Sequence, residues 1–266
     1  MSEKKRLDVY LAESGLAESR EKAKAVIMSG NVYINSQRAD KTGVTVKDGD
    51  SVEVRGGSEF VSRGGLKLKK ALDFFSIDVS GKTALDAGAS TGGFSDCLLK
   101  RGVEKLYAVD VGYGQLDWSI RTNPKVVCLE RTNIRYITRA QIPDIIDIAV
   151  VDVSFISLKL VLPPIRSLMS GDGASVCLIK PQFEAGREKV GKKGVVRDGA
   201  VHAEVLKSFL EHACAAGFSV LGITHSPITG PNGNIEFLGH LSCNPDTDSV
   251  IDIEKVVSEA HCDLKG

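Results

Sequence analysis

From Thr83 onward the chain alternates between two hydrophobic rhythms. Short, nearly continuous apolar runs stand at 83–86, 106–110, 126–129, 148–152 and 175–180, the pattern of strands buried on both faces. Between them, at 93–101, 115–122, 158–168 and 200–216, apolar residues recur at helical spacing. Two late runs, 219–225 and 235–241, predict a closing antiparallel pair, and 249–262 predicts a surface helix. Alternating strands and helices of this kind predict a doubly wound, Rossmann-like α/β domain with a mostly parallel seven-stranded sheet.

Before Thr83 the rhythm differs. Leu7, Val9, Tyr10 and Leu11 mark a short helix over 6–14, which Gly15 interrupts. A second helix starts at Ser19, turns Ala23, Ala25, Val26 and Ile27 inward and ends at Gly30. Strands are predicted at 32–35, 44–46 and 51–55, with a turn at 37–40. This is a compact α+β unit. Gly56-Gly57-Ser58 reads as a flexible joint, so the expected domains are 1–57 and 58–266. Just beyond it, Gly64-Gly65 opens another helix carrying Leu66, Lys67 and Leu72.

Composition narrows the class. The 266 residues suffice for two domains, and 42% hydrophobic with 26% charged residues is ordinary for a soluble globular chain. Net charge is zero, yet the stretch 244–266 holds six acids and two bases, which leaves the rest mildly basic. That excess gathers in one cluster at Arg63, Lys67, Lys69 and Lys70 and another at Arg187, Lys189, Lys192, Lys193 and Arg197. Met1-Ser2-Glu3-Lys4-Lys5-Arg6 leads into no apolar run, so no signal peptide is expected, and no stretch approaches membrane-span length. The six cysteines are scattered, without a C-x-x-C pair, as in a reducing compartment. A cytoplasmic monomer without metal is the expectation.

Two patterns carry a family resemblance. Arg6-Leu7-Asp8-x-x-Leu11, then Ser19-Arg20-x-x-Ala23, then Ile27-x-x-Gly30-x-Val32-x-Ile34-Asn35, resembles an S4 domain, a module that binds structured RNA. The bases Arg6, Arg20, Lys22 and Lys24 suit phosphate contacts and reading of RNA by shape. The second pattern is a glycine-rich bend after the first parallel strand, Asp86-Ala87-Gly88-Ala89-Ser90-Thr91-Gly92-Gly93-Phe94. A pyrophosphate cofactor needs G-x-G-x-x-G, and here Ser90 stands at the second glycine. An acid two residues ahead of the first glycine resembles instead the motif of S-adenosylmethionine-dependent methyltransferases. That resemblance implies Asp86 toward the cofactor's ammonium, backbone N–H groups of 88–94 toward its carboxylate, Asp110 on the ribose and Asn133 by the adenine edge.

Four charged residues, Lys67, Asp152, Lys180 and Glu236, fall at ends of elements bordering one edge of the predicted sheet. In this order they resemble the Lys-Asp-Lys-Glu tetrad of FtsJ-like RNA ribose 2′-O-methyltransferases. An S4-type domain ahead of such a domain is the architecture of the TlyA (hemolysin A) family. The segments Ser62-Arg63-Gly64-Gly65-Leu66-Lys67-Leu68, Asp152-Val153-Ser154-Phe155-Ile156-Ser157 and Lys180-Pro181-Gln182-Phe183-Glu184 match it closely. The resemblance implies S-adenosylmethionine-dependent 2′-O-methylation of cytidine in bacterial ribosomal RNA. In the chemistry a ribose hydroxyl attacks a sulfonium methyl in line, with Lys180 as base and Lys67 as a neighbouring cation that lowers its proton affinity. Asp152 and Glu236 orient the lysines and offset the buried charge. Competing readings are a membrane-active haemolysin, which requires an exported or membrane-seeking segment, and another S4-bearing RNA-modifying enzyme, such as a pseudouridine synthase built on a β-rich fold.

Overall fold

The computed structural model describes residues 4–54, 59–191, 193–245 and 249–264. The chain divides into two compact units, Met1–Gly65 and Leu66–Gly266. The glycine joint at 56–58 lies outside the described residues.

In the first unit, β1 (Lys5–Arg6) runs into α1 (Leu7–Glu13), and α2 (Arg20–Met28) follows. The Ser19 side chain caps α2 by accepting from the Lys22 N–H at 3.2 Å, which satisfies one open donor of the first turn. β2 (Val32–Ile34), β3 (Gln37–Ala39), β4 (Thr45–Val46) and β5 (Val52–Val54) complete the unit. They form a three-stranded sheet in the order β3-β2-β5, and a separate β1-β4 pair. Where the sequence predicts only a turn at 37–40, the structure forms β3. Asn35 and Ser36, both at positive φ, close a two-residue hairpin that pairs polar Gln37 and Arg38 with β2. A two-polar, one-apolar strand gives no period-2 signal. The core is small: Leu7, Leu11, Ala23, Ile27, Val32, Ala39 and Val46.

α3 (Gly64–Phe74) leads into the second unit, which alternates through β6 (Thr83–Ala87), α4 (Gly93–Lys100), β7 (Lys105–Val109), α5 (Trp118–Arg121) and β8 (Val126–Leu129). It continues through β9 (Ile146–Val151), α6 (Leu162–Leu168), β10 (Met169–Ile179), α7 (Pro181–Glu184), α8 (Gly199–Ala215), β11 (Ser219–His225), β12 (Phe237–Ser242) and α9 (Ile253–Leu264). The sheet has seven strands in the order β11-β12-β10-β9-β6-β7-β8. Only β12 is reversed, antiparallel to both β10 and β11. The chain winds outward from β6 through β7 to β8, then crosses back to place β9 on the other side of β6. That reversal makes the carboxyl ends of β6 and β9 a topological switch point, where open α/β sheets bind ligands.

The core follows from the all-apolar strands. Leu85, Ile148, Val150, Val176, Ile179 and Leu241 are fully buried, and α6 and α8 cover the sheet with Leu162, Ile165, Leu206 and Phe209. The predicted surface helix at 249–262 starts later, at Ile253, and buries one face through Ile253, Val256, Val257 and Ala260, so it belongs to the core layer. Truncating a side chain in the small core of the first unit is expected to be felt there first. Ile27→Ala should cost about 2–5 kcal/mol, a large share of what a unit of this size has to lose. Hydrogen exchange should show protection lost across the α1 and α2 amides.

Candidate active site

The switch point is built by a tight crossing of two strand ends. Gly88 has φ +89°, and a Cβ there would stand 2.5 Å from the Asp152 carbonyl oxygen, so only glycine lets the turn after β6 pass under the end of β9. The Asp152 N–H donates to the Ala87 carbonyl at 2.9 Å and locks the crossing. Gly92, also left-handed, caps α4. The turn leaves Ser90 and Thr91 exposed, while Gly92, Gly93 and Phe94 are buried. Phe94, whose backbone N–H is among those expected toward the cofactor, turns its side chain into the core.

Asp110, one residue beyond β7, binds this turn directly. Its Oδ2 accepts from the Ser90 N–H at 2.8 Å and its Oδ1 from the Gly112 N–H at 2.7 Å. The remaining lone pairs of a part-exposed carboxylate are what a vicinal diol would use. Asn133 is exposed, and its Oδ1 accepts from the Arg135 N–H at 3.1 Å. Asp86 differs from the expectation. It has no exposed surface, and its Oδ2 accepts from the Ser95 hydroxyl at 2.6 Å, while Oδ1 has no hydrogen-bond partner among the described residues. Its carboxyl is pushed up to about 7, first by burial and further by the Asp152 charge, with the Ser95 hydrogen bond pulling the other way.

The four charged residues meet at one sheet edge because the ladder registers place them there. Asp152 directly follows β9, Lys180 directly follows β10, and Glu236 directly precedes the reversed β12. The last β10–β12 pair is Ile179 with Phe237, so Lys180 and Glu236 are the next positions along two adjacent strands. Glu236 is wholly buried and takes the Lys67 ammonium at 2.5 Å. A Cβ on Gly230 would stand 2.1 Å from its Oε1, so the carboxylate is packed against bare backbone. Lys180 pairs with Asp152 Oδ1 at 2.6 Å and donates to the Ser154 hydroxyl at 2.8 Å. Each lysine thus has its own carboxylate.

Several residues around this edge carry no signal of their own in the sequence, although Glu184, Ser157, Phe155 and Phe183 lie in the matched segments. Glu184, at the end of α7, accepts from the Ser157 hydroxyl at 2.7 Å and the Leu158 N–H at 2.8 Å, tying the loop after β9 to the turn after β10. Between these ties Phe155 stands at φ +63° and is 90% exposed, with its ring 5.0 Å from that of Phe183. An aromatic residue in this region is strained and is held by its surroundings. Asn234 is buried and joins the basic loop to the Glu236 turn. It accepts from the Val196 N–H at 3.1 Å and donates to the Gly194 carbonyl at 2.9 Å.

The basic positions divide. Lys22, Arg187 and Lys193 are exposed, Lys24, Arg63 and Lys69 are half-buried, and Lys192 lies outside the described residues. Lys189 pairs with Glu204. Lys70, half-buried, leans on His225, 3.3 Å from its Nδ1, and burial lowers its pKa. Arg6 and Arg20 both bind Asp8.

A doubly wound sheet with one reversed strand, a glycine turn at the switch point and paired lysines and carboxylates on the same edge define a Rossmann-type methyltransferase. The chain belongs to the FtsJ-like methyltransferase family: that family's model matches residues 60–242, and the S4 domain model matches residues 5–52. YqxC of Bacillus subtilis is 50% identical over 99% of this chain and 96% of its own length. The 16S/23S rRNA (cytidine-2′-O)-methyltransferase TlyA of Mycobacterium tuberculosis is 45% identical over 89% of each. A solved structure from Streptococcus thermophilus that carries the name hemolysin superposes with a TM-score of 0.79 at 43% identity, over 98% of this chain and 97% of that one.

Two outcomes test the site. Between about pH 4 and 7 the Asp86 carboxyl is protonated in the folded protein and ionised in the unfolded chain, so stability falls as pH rises through that window. Asp86→Asn removes this dependence. Urea denaturation should show the variant gaining on wild type by about 1–4 kcal/mol as pH goes from about 4 to about 8. Glu184→Ala frees the loop after β9 and should lower turnover at least about tenfold, since small misplacements at a reacting centre are costly. Glu184→Gln, which retains an acceptor for Leu158 and a partner for Ser157, should keep most of it in the same steady-state assay.

Proposed function

We propose that the protein transfers a methyl group from S-adenosylmethionine to the ribose 2′-hydroxyl of a cytidine in bacterial ribosomal RNA. The observation that carries this reading is the Lys180–Asp152 pair beside the Lys67–Glu236 pair, at the carboxyl edge of the sheet next to the glycine turn. The relative TlyA is named for this reaction on 16S and 23S rRNA, and the S4 unit supplies an RNA-binding module on the same chain.

The residues at the switch point fit the cofactor. Gly88 to Gly93 offers close-approach backbone without the second glycine a pyrophosphate requires, Asp110 offers carboxylate lone pairs to a ribose diol, and Asp86 holds an unpartnered buried oxygen beneath the turn. S-adenosylmethionine, when bound, supplies the electrophilic methyl. The protein's part is positioning and proton transfer. Lys180 Nζ, held at its post by Asp152 and Ser154, first gives its extra proton to solvent and then, as the neutral amine, takes the proton of the attacking hydroxyl. Glu236 and Lys67 neutralise one another in the buried wall behind the site, and the exposed Arg187 and Lys193 face the phosphates of the RNA.

We place the protein in the cytoplasm, acting as a monomer on ribosomal subunits. Among the described residues no helix is long and apolar enough to cross a membrane. Purified protein with labelled S-adenosylmethionine should label ribosomal RNA, with alkali-resistant 2′-O-methylcytidine as product. Lys180→Ala should reduce turnover by about 10²–10⁴-fold at unchanged RNA and cofactor affinity. Near-normal turnover in that variant would remove Lys180 from the role of base.

A further inference from the structure

Two arginines of the S4 unit are not independent side chains. Arg6 donates from Nε to Asp8 Oδ1 at 3.0 Å and from Nη2 to Asp8 Oδ2 at 3.2 Å. Arg20 donates from Nε to the same Oδ2 at 2.9 Å. Asp8 has no exposed surface, whereas both arginines keep about half of their side chains in solvent. The Arg6 hydrogen bond, above the opposing effect of burial, and then that of Arg20 hold the Asp8 carboxyl well below the usual carboxylate range, so it stays charged.

The chemistry of this arrangement is odd for a surface that only needs positive charge. Asp8 cancels half of the charge the two arginines bring, and a carboxylate near an incoming phosphate is repulsive. What it provides is geometry. Both guanidiniums meet on one oxygen, so they lie side by side. Each uses its Nε–H inward, and Arg6 one Nη–H as well. That leaves the two Nη groups of Arg20 and the outer edge of Arg6 as a double row of donors toward solvent. Long side chains lose rotamer freedom when a ligand fixes them, and here that loss has occurred before binding.

We propose that Asp8 is a positioning residue for RNA: it sets Arg6 and Arg20 as a two-armed clamp for one backbone phosphate. The proposal rests on the reading that this unit binds RNA, and goes further by giving a buried carboxylate a role in affinity.

The test separates geometry from charge because the two predict opposite signs. Asp8→Asn makes the protein more positive by one. If charge alone mattered, the full-length variant would bind deproteinised ribosomal RNA as tightly as wild type or more tightly. The clamp predicts binding weaker by about tenfold, with the slope of log affinity against log salt shallower by about one. Arg20→Lys guards against a folding defect, since it changes a half-exposed side chain and keeps a cation for Asp8. The clamp predicts a comparable loss, because an ammonium presents no planar fork. Wild-type affinity in either variant overturns the proposal. Arg20→Ala is the third arm. Weakened binding there, with Asp8→Asn and Arg20→Lys both at wild-type strength, would sink the clamp alone. Unchanged binding in Arg20→Ala would sink the reading of this surface as an RNA site along with it.

Discussion

A carboxyl group with no exposed surface stays protonated, as Asp86 does, unless a cation matches it, and most of the active edge follows from how Glu236 is matched. Taking both charges out of water costs several kcal/mol per ion, which only close pairing and good geometry offset. The Lys67 ammonium at 2.5 Å provides that pairing. To do so, α3 must present Lys67 to the start of β12, and the turn before Glu236 must come in on bare backbone at Gly230. The reversed β12 is what brings Glu236 next to Lys180 by ladder register. One buried pair therefore ties together a helix ahead of the sheet, the strand inserted last, and the neighbouring Lys180.

Much of the second unit was legible because strand burial on both faces writes itself as uninterrupted apolar residues, and the four charges stand out against that background. Their placement directly beyond or before a strand followed from the same contrast: a charge ends an apolar run. The glycine turn was legible too, since Gly88 must cross under Asp152, although the physical reason lies between two strands 60 residues apart and cannot be seen locally. What stayed hidden depends on partners far off in sequence. Asp86 reads as a plain strand-end carboxylate, and only the fold buries it with Oδ2 on the Ser95 hydroxyl and Oδ1 left without a partner among the described residues. Lys70 gives no sign in the sequence of the His225 ring it leans on. Glu184 and Asn234 are ordinary polar residues whose value comes from backbone groups they reach across loops.

The S4 unit shows the same division on a smaller scale. Its helices follow from apolar spacing and the Ser19 cap, while β3 is invisible because its pairing is fixed by the hairpin turn at Asn35-Ser36 rather than by side chains. Asp8 in a basic motif reads as a neutralising charge. In the fold it is wholly buried beneath two arginines.

The way Asp152, Lys180 and Glu236 are fixed has a consequence for how such an enzyme can diversify. Each abuts the last or first rung of a hydrogen-bonded ladder, so none of them depends on the length of the loop attached to it. Insertions and deletions beyond the Glu184 ties in the segments after β9 and β10, and ahead of Gly230, change the shape of the rim without moving the backbone of these three charges. Drift in loop length is thus decoupled from drift in chemistry, and the same floor of charges can be fitted with new walls to grip a different fold of RNA.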